Sequence, residues 1–189
     1  SFVFIEKENV LSEEQFKEIL KLVKDFNFPW FYRPSTKNNF YFNSHALLNP
    51  ELGINSKHCD FFTKIFYKIC SQNKVPVNKL LRMNVNMTFH YTAKQADLHT
   101  DHDFPHYVMI LYLNNASGNT LIFNEQYEDI KGSQVDHERN WHKVQKEHSL
   151  KDTIVPEKNK VVFFNGINYH AQEFCKPNEE RLVFLCTFQ

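Results

Sequence analysis

Residues 80–91 read LLRMNVNMTFHY, and their strict alternation constrains the fold of this chain more than any other feature. Leu81, Met83, Val85, Met87 and Phe89 take turns with Arg82, Asn84, Asn86, Thr88 and His90. A two-residue period predicts a β-strand with one apolar and one polar face. The apolar face needs a cover, and the polar face must meet solvent or a wet internal cavity. Further strand-length apolar runs follow at YVMILYLNN, NTLIFN, KVVFF and RLVFLCTF. The segments ahead of Pro76 carry a helical period instead. LSEEQFKEILKLVKDF opens with a capping box, Ser12 to Gln15, and repeats its apolar residues at Phe16, Ile19, Leu20 and Val23. CDFFTKIFYKICSQ places Phe62, Ile65, Phe66 and Ile69 on one face. Between them, FPWFYRPSTKNNFYFN has no clean period and reads as loop with short extended pieces. Helices followed by strands predict a mainly β domain with supporting helices, the helices buttressing one face.

At 189 residues the chain suits one domain over 1–189. Its parts are a helical support region over 1–75 and a β core over 76–189, with a hydrophilic insertion near 125–152 that reads as a lid or a solvated loop. The 19 Phe and 8 Tyr predict thick packing of strand on strand. A formal net charge of +0 argues against nucleic acid or an anionic membrane as partner, since both select a basic excess. Cys59, Cys70, Cys175 and Cys186 form no C-x-x-C pair and read as reduced thiols. No apolar run reaches membrane-spanning length. A soluble cytoplasmic protein of a reducing compartment is the expectation.

The stretch DLHTDHDFPHYVMILYLNN loads His99, Asp101, His102 and Asp103 onto the entrance of an apolar strand. On extended backbone His99 and Asp101 point to the same side. The best third ligand is His170 in GINYHAQEF. Two histidines and one carboxylate form the facial triad of non-haem Fe(II) oxygenases, which leaves coordination positions open; a structural zinc site would close its shell with four ligands. His102 and Asp103 lie outside the H-x-D register and read as loop or supporting residues, while Asp103 or His106 is placed to touch substrate.

The order of HTD (99–101), YVMILYLN (107–114), GNTLIF (118–123), VPEKNKVVFFNG (155–166), YH (169–170) and RLVFLCTF (181–188) resembles the Fe(II)/2-oxoglutarate dioxygenases. Within them it is most similar to the prolyl-4-hydroxylase-like branch, including small stand-alone forms of viruses and bacteria. The resemblance covers about residues 80–188. It implies a double-stranded β-helix (a distorted jelly roll) and iron held by His99, Asp101 and His170. It implies Arg181 on the distal carboxylate of 2-oxoglutarate, where a planar guanidinium pairs bidentately. Tyr112 matches a tyrosine donating to the same carboxylate, and Tyr91 another near the co-substrate. By strand parity Tyr91 falls with the apolar set, so Asn86 on the polar face competes for that role. Two glycines common among relatives are absent, since ASGNT holds one and EKNK none.

The resemblance further implies Fe(II), 2-oxoglutarate and O2 as reagents, ascorbate as a supporting reductant, and hydroxylation with release of succinate and CO2. An intact carboxylate at Asp101 favours hydroxylation over halogenation. The nearest branch points to a prolyl residue of a peptide or protein; a free amino acid, another small molecule or a nucleobase are the alternatives. From other classes, a non-catalytic binding module of the same fold and a cupin-like metalloenzyme without 2-oxoglutarate compete. The first would bind metal without turnover, and the second would tolerate Arg181→Ala.

Overall fold

A computed structural model of the chain describes residues 4–34, 40–128 and 134–189. In chain order these form β1 (Ile5–Lys7), α1 (Glu13–Val23), β2 (Phe31–Pro34), β3 (Tyr41–Asn49), β4 (Gly53–Ile54), α2 (Cys59–Gln72), β5 (Leu80–Phe89), β6 (Tyr107–Tyr112), β7 (Thr120–Gln126), α3 (Gln134–Lys146), β8 (Leu150–Ile154), β9 (Lys160–Asn165), β10 (Asn168–Gln172) and β11 (Glu180–Phe188). The larger sheet runs β1-β9-β6-β11-β5-β3-β2, with β4 beside β3, and the smaller runs β10-β7-β8. Every pair is antiparallel. The two sheets form a double-stranded β-helix, the distorted jelly roll that the motif order implies.

The alternation at 80–91 becomes β5, whose apolar Met83 and Val85 are fully buried. They join Met109, Leu111, Val161, Phe163, Leu182 and Phe184 on the outer face of the larger sheet. The apolar stripes of α1 (Phe16, Ile19, Val23) and α2 (Phe62, Ile65, Phe66, Ile69) cover that face. Phe62 meets Phe184 at 4.9 Å and Phe66 meets Phe188 at 5.3 Å between ring centroids. Some of the aromatics expected between strands therefore pack helix on sheet. The inner face carries Val108, Ile110, Tyr112, Val162, Phe164 and Val183 against Ile122 and Ile154 of the smaller sheet. Strands β6, β9 and β11 are thus buried on both sides, which is why they read as continuous apolar runs without a period.

Two stretches differ from expectation. The helical first region also holds β1 to β4, and β3 is a long strand bonded to β5. Its sequence, YFNSHALLN, hides the alternation because both faces are mixed. Ser44 and Ala46 turn to the cleft, while His45 stacks on Phe28 at 4.4 Å and Leu47 enters the helix-covered core. The hydrophilic insertion supplies α3 and β8. Val144, with Trp141 partly buried beside it, packs on Leu98, Leu121, Phe123 and Tyr169 over the outer side of the smaller sheet. No described residue of the insertion lines the cleft. Residues 129–133, part of the expected lid, lie outside the described residues.

Candidate active site

His99 and His170 are brought face to face by an isolated β-bridge, each backbone amide donating to the other's carbonyl at 3.0 Å. The segment 95–99 thereby extends the smaller sheet past β10, and Asp101 follows where it turns away. Ligand atoms of His99, Asp101 and His170 all lie within 4.8 Å of one another. Asp101 Oδ1 is 3.7 Å from His99 Nε2, and Asp101 Oδ2 is 3.3 Å from His170 Nε2.

The donor set fits a metal cation. His170 Nδ1–H donates to the Asn168 carbonyl at 3.0 Å. That bond leaves the Nε2 lone pair pointing at the Asp101 carboxylate. At this separation a metal ion, or a proton on Nε2 in its absence, is what lets the two groups sit together. Asp101 Oδ2 is buried with no partner in hydrogen-bonding geometry. Burial opposes ionisation of Asp101, but the His170 imidazole outweighs it and holds the carboxyl well below its ordinary range. Burial likewise opposes protonation of His170, while Asp101 overrides it and raises that imidazole. The cluster is an anionic seat walled by imidazoles, with His99 45% exposed toward the cleft.

A second polar centre surrounds Arg181, which is 5% exposed at the start of β11. Its Nε donates to the Gly118 carbonyl at 2.9 Å, and its Nη2 donates to Thr120 Oγ1 at 2.6 Å. The Tyr112 hydroxyl shares Thr120 Oγ1, also at 2.6 Å, and the Tyr112 ring lies 5.7 Å from the guanidinium carbon. Tyr112 is fully buried behind Thr120, and burial pushes its phenol up. Among the described residues no carboxylate pairs with Arg181. A buried guanidinium that no described carboxylate pairs has its charge uncompensated by an acid among the described residues.

Both centres open into one cleft of about 520 Å³ between the sheets. Its wall includes the polar face of β5 (Arg82, Asn84, Asn86 and Thr88), so the wet internal cavity is where that face goes. Asn86 lines the cleft and accepts from Ser44 Oγ at 2.8 Å. Tyr91 lies outside it, packed with Phe174 at 5.3 Å and Phe40 at 6.4 Å. Of the two, Asn86 lines the cleft and Tyr91 does not. His102 donates to or accepts from Thr187 Oγ1 at 2.8 Å and stacks on Phe104, while His106 is buried where Gly166 leaves no room for a Cβ. Asp103 is exposed.

Three contributors were not singled out by the sequence. Thr120 bridges Arg181 and Tyr112; its signal is that it opens β7, next to a run already recognised as strand. Gly118 lets the Arg181 chain pass, since a Cβ there would meet the Glu173 carbonyl at 2.5 Å and Arg181 Cδ at 3.4 Å. Gln145 of α3 grips the backbone of Leu98 twice, accepting its N–H at 2.8 Å and donating to its carbonyl at 2.9 Å. Nothing in the local pattern announces that last contact.

No protein-family model matches the chain, and no curated protein matches it by sequence. Solved structures do match. An oxidoreductase of the 2OG-Fe(II) oxygenase family from Burkholderia pseudomallei aligns with TM-score 0.67 at 9% identity, covering 98% of this chain and 84% of that one. The non-heme alpha-ketoglutarate-dependent epimerase SnoN from nogalamycin biosynthesis gives 0.67 at 12%, covering 98% and 78%. A prolyl hydroxylase from Trichoplax adhaerens, in complex with a hypoxia inducible factor peptide, gives 0.62 at 11%, covering 98% and 82%. At such identities the likeness is one of fold, and the fold is that of the 2-oxoglutarate-Fe(II) oxygenases.

Proposed function

We propose that the protein is an Fe(II)- and 2-oxoglutarate-dependent oxygenase that hydroxylates an unactivated C–H bond. The observation that carries this reading is the pairing, in one cleft, of an open His99–Asp101–His170 cluster with a buried, acid-free Arg181. When bound, iron with 2-oxoglutarate and O2 supplies the oxidising power, releasing succinate and CO2. The chain's own residues do the rest. Asn168 fixes the His170 tautomer, and Asp101 supplies the negative charge that holds a divalent cation. Arg181, steadied by Thr120 and Gly118, receives the distal carboxylate of 2-oxoglutarate. Ile110 and Val183 add apolar wall to the same cleft, and less water there strengthens those interactions.

For the substrate we favour a prolyl residue in a peptide or protein. Support comes from the motif resemblance and from a fold shared with a prolyl hydroxylase; the fold shared with SnoN keeps small molecules in view. The test is succinate formation from 2-oxoglutarate by purified protein with Fe(II) and ascorbate, across proline-containing peptides and free amino acids. Turnover should vanish in His99→Ala and require far more 2-oxoglutarate in Arg181→Ala. Metal binding without succinate under every condition would make the protein a binding module instead. Turnover indifferent to Arg181→Ala would remove 2-oxoglutarate from the account.

A further inference from the structure

The cleft holds more positive charge than the co-substrate can use. Arg33, Arg82 and Arg181 line it, and Asp101 is the lone carboxylate among its described lining residues. Arg181 is assigned to 2-oxoglutarate and Asp101 to the metal, which leaves Arg82 and Arg33 uncompensated. Among the described residues neither has an ion pair.

Position separates Arg82 from the co-substrate. On β5, Thr88 pairs with Arg181 of β11, whereas Arg82 pairs with Thr187. The two arginines are therefore set apart by roughly 20 Å of strand, at about 3.3 Å per residue. Arg82 shares its row across the sheet with Thr187, Val108 and Phe164. Phe164 in turn meets the His170 ring at 5.0 Å between centroids. Arg82 thus stands at the metal's level of the cleft, far from the end where the distal carboxylate of 2-oxoglutarate is received. Its side chain is half-buried and lines the cleft wall together with Asn84, Ala46 and Leu52. A half-buried guanidinium that no described acid pairs is suited to an anion.

We infer that the substrate carries an anionic group, a carboxylate or phosphate, which Arg82 binds while the reacting carbon sits over the metal cluster. This rests on the oxygenase reading and deepens it. In a peptide the anion is a flanking acidic side chain, and in a small molecule it is the molecule's own carboxylate or phosphate. Arg33, exposed at the rim, adds attraction on approach more than affinity once bound.

Two measurements test the inference. In the first, inorganic phosphate is titrated calorimetrically into protein carrying Ni(II) and saturating 2-oxoglutarate, for wild type, Arg82→Gln and Arg82→Lys, with thermal melting as the check on folding. Arg82→Gln should weaken phosphate by roughly tenfold or more, as expected for removing a charged partner of an anion, and Arg82→Lys should recover part of it. Equal affinity in wild type and Arg82→Gln, or no binding to wild type, would overturn the assignment. In the second, succinate formation is compared for matched acid and amide pairs. L-proline against L-prolinamide and a Glu-flanked against a Gln-flanked proline peptide distinguish a free acid from an acidic peptide. The acid of one pair should be favoured through KM, with the preference lost in Arg82→Gln. Amides turned over as well as acids would refute it. No succinate from any probe would count against the oxygenase reading, and the phosphate titration would still decide Arg82.

Discussion

At the scale of single residues the site is governed by which charges have been left without partners. Asp101 lies among imidazoles with one buried oxygen unbonded, so its negative charge is available to a metal. Replacing it with alanine should lower Fe(II) or Ni(II) affinity by at least roughly a hundredfold, the upper end of what even outer-sphere changes cost. Calorimetric metal titration reads this directly, and affinity within a few-fold of wild type would remove Asp101 from the ligand set. Gly118 is the second sensitive point. In Gly118→Ala the new methyl collides with the Glu173 carbonyl and crowds Cys175 Sγ, so the Gly118 backbone, whose carbonyl holds Arg181 Nε, must shift. Overpacking of this kind costs about 1–3 kcal/mol. The effect should appear both as a lower melting temperature and as weaker 2-oxoglutarate binding, whereas an unaltered 2-oxoglutarate titration would show that Arg181 tolerates displacement.

At the scale of elements, one side chain does the work of backbone. Asn159 lies in the left-handed region at φ 66, where glycine is the least strained residue. Asparagine tolerates that conformation and here also spends its amide, accepting from Leu11 N–H at 3.0 Å and donating to the Leu11 carbonyl at 2.8 Å. Asn159→Gly should keep the turn yet lose about 1–3 kcal/mol, because two buried backbone groups of Leu11 lose their partner. Urea unfolding measures the difference, and a neutral result would mean that water replaces the amide. The strands and helices that were legible from the sequence are those with one clear face or a long apolar run. Helix α2 was bounded at both ends from its stripe, and β5 at its start, the alternation at 80–91 running two residues past its end. The His99, Asp101 and His170 cluster was legible from H-x-D only together with the motif order, since Asp101 lies where the chain turns away from the extended segment. What was hidden depended on contacts across the chain: β3 mixes residue types on both faces, α3 rests on Val144 and Trp141, and Thr120 gains its role only where β6, β7 and β11 converge. Tyr91 shows the same dependence, since its ring packs with Phe174 and Phe40 across the chain, contacts that its position in the sequence does not reveal.

At the scale of the whole molecule, the sheets bury all four cysteines without a disulfide. Burial pushes the Cys70 thiol up to about 12, from an ordinary 9.0. In the unfolded chain that thiol loses its proton first as pH rises. Its contribution to stability is therefore complete below pH 9.0 and declines above it. Cys70→Ala should accordingly show a shallower alkaline loss of stability than wild type in parallel denaturant titrations, and equal slopes would contradict this. The native thiols should resist alkylation at neutral pH until the fold opens. No helix among the described residues is long and apolar enough to cross a membrane. The paired bonds from Gln145 to Leu98 carry a further consequence. Leu98 lies on the outward side of the segment bridged to β10, where its N–H and carbonyl would otherwise form an open sheet edge, a template for another chain. With both groups taken by Gln145, the edge at Leu98 is closed to pairing. Gln145→Leu should then betray itself through concentration-dependent light scattering before it betrays itself through unfolding.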